Sequence, residues 1–284
     1  MPAHQLTLAV TVLVLLAGVL HAIWNAMASA ISDKTVAFAL IGAAQAGFAV
    51  IALPIVGLPD SGAVAFAAAS AVIHIAYTGA LLQSYRLGDF GRAYPLARGT
   101  APLLVGLGAW FIAGEHLSAL QIAGTCTIAA ALTGIVFAGG RLTRADLPAT
   151  TAALFTGVTI ASYTVIDGLG VRHAHNPLGY LSLLLLFQEP AILTIAVYRL
   201  RHRLHRGLLR EVPAGLGAGV ISVLAYGIVV WAQTRGPLAL VSALRETSVI
   251  SAALIATLLF KEPFARRRLL PSVAVALGIA LIAL

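Results

Sequence analysis

Apolar residues fill the chain in long blocks, and each block closes on a short cluster of charged, glycine or proline residues. A helix crosses the bilayer core with about 20 apolar residues. Breaking the chain at the clusters predicts spans near 6–30, 36–57, 63–85, 93–113 and 119–138, then 149–171, 177–198, 213–234, 238–260 and 268–284. The breaks are short, among them Ser32 to Lys34, Leu58 to Gly62, Arg86 to Arg92, Gly114 to Ser118 and a basic stretch from Arg199 to Glu211. The expected fold is an all-α membrane protein of ten transmembrane helices.

Composition removes the soluble alternatives. Hydrophobic residues make up 60% of the 284 and charged residues 10%, with a mean hydropathy of +0.96. A soluble chain carries roughly a quarter charged residues. The Ala28-Ser29-Ala30 triplet resembles a signal-peptide cleavage site, but the stretch before it lacks a basic start and is too long, so it reads as the first membrane helix. The single cysteine, Cys126, excludes an intrachain disulfide and any cysteine-built metal or redox centre.

Charge then sets the orientation. Of the 18 Lys and Arg residues, 14 lie in alternate loops, from Lys34 through Arg199 to Arg268. The opposite loops carry only Arg172 and Arg235, and Arg98 and Arg245 fall inside spans. The formal charge of +8 is therefore an orientation signal rather than a nucleic-acid patch. It puts the basic loops in the cytoplasm and both termini on the periplasmic side of a bacterial inner membrane.

A shift of 147 residues lays Arg98 on Arg245, Thr100 on Thr247, Ala109 on Ala256 and Glu115 on Glu262. Charged residues are scarce here, so the Arg and Glu matches carry the signal. Halves of five spans each, 1–140 and 141–284, must sit upside down relative to one another. Inverted repeats recur in secondary transporters, with the substrate near the midplane between them.

Arg98-Gly-Thr-Ala-Pro102 in the fourth span, with Gly114 to Ser118 and Lys261 to Phe264 closing the fourth and ninth, resembles the drug/metabolite transporter superfamily and its EamA-type ten-helix members. His21 to Asn25, Asp33-Lys34 and Gly88 to Gly99 also resemble a bacterial branch linked to phosphonate utilisation. The resemblance implies a central cavity lined by both halves and alternating access without ATP or a bound cofactor. It also implies export of amino acids and other metabolites, or exchange of nucleotide sugars and sugar phosphates. Several such relatives keep both termini in the cytoplasm, the reverse of what the loop charges argue.

An ionisable side chain inside a bilayer is a candidate for function by default. Arg98, Asp167, Glu189, Arg245 and Glu246 stand out. The permanently charged fork of Arg98 or Arg245 suits a carboxylate or phosphate; a structural ion pair, for instance Arg245 with Glu189, is the other role open to them. Arg245 and Glu246 are neighbours and point about 100° apart, so they cannot share a partner. Glu189 precedes Pro190 in mid-span, where proline frees a backbone carbonyl. A carboxyl in that setting is a candidate carrier of a coupling proton, or one side of a salt bridge at a kink. His74, Tyr77, Leu81 and Tyr85 recur at helical spacing, His21, Trp24 and Asn25 share one face, and Tyr163 with Asp167 forms another. These are cavity candidates, Tyr85 excepted, which sits at a helix end. Glu115 and Glu262 are expected to cap helices or pair with loop cations.

The function expected is a secondary transporter, an exporter of an amino acid or similar small anion or zwitterion. Lipid contacts, proton coupling and a homodimer remain open as partnerships. A flippase for lipids or lipid-linked sugars is the nearest alternative, since residues 199–210 suit anionic headgroups. An intramembrane transferase finds no support: HExxH, GxxxxGK[ST], nucleophile-elbow and carboxylate-rich metal motifs are all missing.

Overall fold

A computed structural model describes residues 6–87, 90–138, 143–201, 208–251 and 266–283. Its described elements are all helical: α1 (Leu8–Ala30), α2 (Lys34–Val56), α3 (Ser61–Leu87), α4 (Phe90–Ala113), α5 (Ala119–Ala138), α6 (Leu147–Ala174), α7 (Pro177–Leu200), α8 (Leu208–Gln233), α9 (Leu238–Arg245) and α10 (Arg266–Ala283). Seven of these helices are long and apolar enough to cross a membrane. α5 and α10 carry shorter apolar stretches, Ala119–Gly134 and Pro271–Ile282. Glu262 and the end of the ninth predicted span lie outside the described residues.

Local chemistry explains the ends. Asp33 caps α2 by accepting from the Thr35 N–H at 2.7 Å, and Asn176 caps α7 by accepting from Gly179 at 3.0 Å with Pro177 behind it. Gly57 stops α2 at φ 82°, a left-handed setting in which glycine carries no Cβ penalty.

The ninth span departs from the continuous helix expected over 238–260. α9 ends at Arg245, Glu246 and Thr247 form a turn, and helix resumes at Ser248. The Glu246 and Thr247 N–H groups bond three residues back, to Ala243 and Leu244, both at 3.1 Å. That tighter winding interrupts the α ladder. It persists because neighbours hold both sides of the turn, as described below.

α1 packs against α8, α2 against α7 and α8, α3 against α6 and α7, α4 against α5, α6 and α9, and α5 against α10. Bulky apolar side chains such as Ile51, Ile55, Phe111 and Val197 point outward, as lipid-facing residues do. Small residues allow the close crossings: a Cβ on Gly124 would strike the Gly278 carbonyl.

Contacts between linkers sort them onto two ends. Asn176 donates to the Val56 carbonyl at 2.7 Å, His175 meets Asp60 at 2.6 Å, and Arg172 reaches Glu115 and the Gly236 carbonyl. Leu6 lies against Gly236 at that same end. Ser32 and Glu211 meet at the other, where Ser32 donates at 3.0 Å.

Candidate functional site

One cavity opens among α1, α2, α3, α6, α7, α8 and α9, with about 960 Å³ of atom-free space, part of it open to the exterior. His21, Trp24, His74, Tyr77, Tyr163, Glu189 and Arg245, all expected from the sequence, lie on its wall.

One side is an aromatic box. His74 stacks on Tyr163 with ring centroids 4.0 Å apart, and Tyr77 stands edge-on to Tyr163 at 5.6 Å. Tyr226 of α8 closes the box, 5.7 Å from His74. Such faces take flat apolar groups or cations. The His74 Nδ1 lies 3.0 Å from the Ser70 carbonyl, which can only accept. Nδ1 therefore carries the proton, and the neutral ring offers Nε2 as an acceptor. His21 is the reverse. Its Nδ1 accepts from the Trp24 indole at 3.2 Å, which leaves the proton on Nε2.

Behind the box lies Asp167, fully buried and off the cavity wall. Tyr180 donates to it at 2.8 Å, and Tyr226 donates to its other oxygen. A buried carboxylate with two hydroxyl donors fixes the rings that hold it.

α7 and α9 bring charged side chains to the wall. Glu189 is 1% exposed; its Oε1 accepts from Gln188 at 2.6 Å, while its Oε2 has no partner among the described residues. The Gln188 Oε1 is likewise unpartnered. Two acceptors thus stand ready on the wall for a proton or a hydrogen-bond donor. Arg245 is 4% exposed, and its Nε and Nη2 find no partner among the described residues. Burying such groups unpaired is costly, which makes them ligand-facing candidates.

Arg98, Glu246 and Asn25 are placed elsewhere. The Arg98 Nε lies 2.7 Å from the Glu246 Oε2, and its Nη2 donates to Ser248 at 2.8 Å. Both residues are buried, at 3% and 0% exposure. Removing one partner of such a pair costs about 3–5 kcal/mol. The pair spans α4 and the turn after α9, and Arg245 with Glu189 forms no ion pair among the described residues. Asn25 donates to the His21 carbonyl at 2.7 Å, a bond within its own helix. Glu115 caps α9 by accepting from the Leu238 N–H at 2.8 Å and pairs with Arg172 at 2.7 Å.

The sequence reading overlooked Gln45, Thr78, Ser222 and Tyr226 on the wall. Ser222 and Tyr226 are four apart on one face of α8, a signal that was present but weak beside apolar neighbours. Gln45, which donates to Ser222 at 3.0 Å, stands alone among apolar residues in the middle of α2.

Comparison with known proteins adds three findings. Residues 147–284 match the model of the EamA-like transporter family. No curated protein matches the chain. Among solved structures 29 chains match. One of them, a crystal structure of a protein 18% identical, superposes with a TM-score of 0.77 over 97% of this chain and 98% of that one. At that identity the likeness is one of fold, and it extends over both halves.

Proposed function

We propose that the chain, whose residues 147–284 match the EamA-like transporter family, is a drug/metabolite-type transporter that exports a small polar metabolite by alternating access. The substrate is an anion or zwitterion, such as an amino acid. The observation that carries this reading is Arg245, whose guanidinium stands on the wall of an aromatic cavity with two nitrogens unpartnered among the described residues. A carboxylate or phosphonate fits that fork in two-point contact, while the box formed by His74, Tyr77, Tyr163 and Tyr226 takes the remainder. Glu189, also on the wall, carries the coupling proton.

Two inverted repeats of five helices, 1–140 and 141–284, supply the symmetry for alternating access. The packing supports this: exchanging each helix with the one five places later sends α1–α8 onto α6–α3, α2–α8 onto α7–α3 and α4–α6 onto α9–α1. The α2–α7, α4–α9 and α5–α10 contacts map onto themselves. The protein resides in a bacterial inner membrane with both termini periplasmic, and a homodimer is compatible with this reading.

Counterflow into proteoliposomes, run against amino acids, phosphonates and nucleotide sugars, tests the proposal. Saturable uptake of a soluble anion or zwitterion, lost in Arg245→Ala, is expected. Headgroup scrambling without solute flux would overturn it in favour of a flippase.

A further inference from the structure

Three ionisable side chains meet where α9 breaks: Arg98 from α4, and Arg245 and Glu246 at the turn. They carry two positive charges and one negative. The carboxylate is committed, since Glu246 Oε2 lies 2.7 Å from the Arg98 Nε, and Arg98 is further held by Ser248 at 2.8 Å. Arg245, the neighbour of Glu246 in sequence, is left over, facing the cavity without an acid partner among the described residues.

The backbone at this point has little room to respond to a change. A Cβ on Gly18 of α1 would strike the Thr247 hydroxyl, and would lie 3.3 Å from the Ser248 nitrogen and 3.4 Å from the Arg245 carbonyl oxygen. α1 therefore presses on both sides of the turn. With the main chain held, the side chains must answer any loss of charge.

We propose that Arg98 is a specificity-determining residue that never touches the substrate: by occupying Glu246 it keeps the Arg245 guanidinium open, and so gives the cavity its preference for an anionic group. This rests on the reading of Arg245 as the anion-binding fork. Without Arg98, a buried carboxylate stands unpaired beside a single guanidinium, and buried carboxylates seek a partner. Glu246 then captures Arg245 and the cavity loses its free cation. Removing Glu246 together with Arg98 leaves Arg245 open again. A simple bracing role for Arg98 predicts no such rescue, and neither does direct substrate contact.

Phenylglyoxal modification of the purified full chain, read at Arg98 and Arg245 by peptide mass spectrometry, follows the fork without a known substrate. In the native protein Arg245 is expected to react and Arg98 to be protected. In Arg98→Met the Arg245 rate should fall about tenfold, as an ion pair worth about 1.4 kcal/mol would impose. The Arg98→Met/Glu246→Leu double variant should restore the native rate. An unchanged Arg245 rate in the single variant, or no recovery in a well-folded double variant, overturns the proposal. Should Arg98→Met fail to fold, Glu246→Gln decides: Arg245 must react at least as fast as in the native protein and Arg98 must become reactive, and a slower Arg245 overturns the idea. Benzoate is the ligand probe. If it fails to protect Arg245 while the reactivity pattern holds, the anion-site reading of the cavity fails and the charge relay between Arg98, Glu246 and Arg245 stands by itself.

Discussion

Glu189 and Gly42 are built for each other: a Cβ on Gly42 would strike the carboxylate Oε2. α2 and α7 pack together there, and only the missing side chain lets an acid sit at their crossing. Gly42→Ala should push the carboxylate off its position, with a loss of stability of about 1–3 kcal/mol typical of overpacking. Thermal unfolding in detergent measures the stability and counterflow the transport; both should fall, and transport the more steeply.

Glu189→Gln removes the titratable proton while keeping the shape and the bond to Gln188. If Glu189 carries the coupling proton, substrate exchange at equal concentrations should survive, and accumulation driven by a pH gradient should vanish. Gradient-driven uptake at the native level in this variant would sink the coupling role.

Tyr180 and Tyr226 both donate to Asp167, but only Tyr226 also lines the cavity. Each Tyr→Phe change deletes one hydroxyl donor to a buried carboxylate, a loss of about 1.5–3 kcal/mol. Tyr180→Phe should therefore act mainly on the melting temperature. Tyr226→Phe should lower it and raise KM as well, because the ring that closes the aromatic box is released. Equal effects of both on KM would argue against the wall assignment.

Membrane embedding was legible because apolar runs of about 20 residues leave few other solutions, and the cavity aromatics were legible because His74 and Tyr77 share a helical face. The break at Glu246 was not, since the turn has no proline or glycine to announce it: Arg98 and Gly18 hold it from elsewhere in the chain. For the same reason the partner of Arg98 escaped sequence reasoning. Adjacency set Glu246 beside Arg245, whereas the fold hands its carboxylate to a residue about 150 positions away, as the Arg98–Ser248 separation of 150 attests.

Glu115 joins three elements by accepting from the first N–H of α9 and from Arg172, which also holds the Gln233 and Gly236 carbonyls at 2.9 and 2.8 Å. Glu115→Ala removes both a helix cap and a partly exposed ion pair, together worth about 1 kcal/mol. Glu115→Gln keeps an acceptor for the cap and should cost less. A double-mutant cycle with Arg172→Ala, read by thermal unfolding, should show positive coupling; additive losses would mean that the two act separately.

Orientation can be argued from what occupies the sparsely basic end. Its two cations are both engaged: Arg172 pairs with Glu115, and Arg235 lies over the Trp231 ring at 5.3 Å. Cations at the other end are engaged too, Lys34 by the Ser29 and Ile31 carbonyls and Arg201 over the Tyr198 ring, so number decides: Lys34, Arg144, Arg199 and Arg201 lie there, as the positive-inside rule expects of a cytoplasmic side. With Cys126→Ser as background, single cysteines at Asp60 and Arg144 sample the two ends at exposed positions. An impermeant maleimide should label the Asp60 position in intact cells and the Arg144 position only after the membrane is opened. The opposite pattern would turn the whole molecule over, place both termini in the cytoplasm, and reverse which mouth of the cavity faces the metabolite pool.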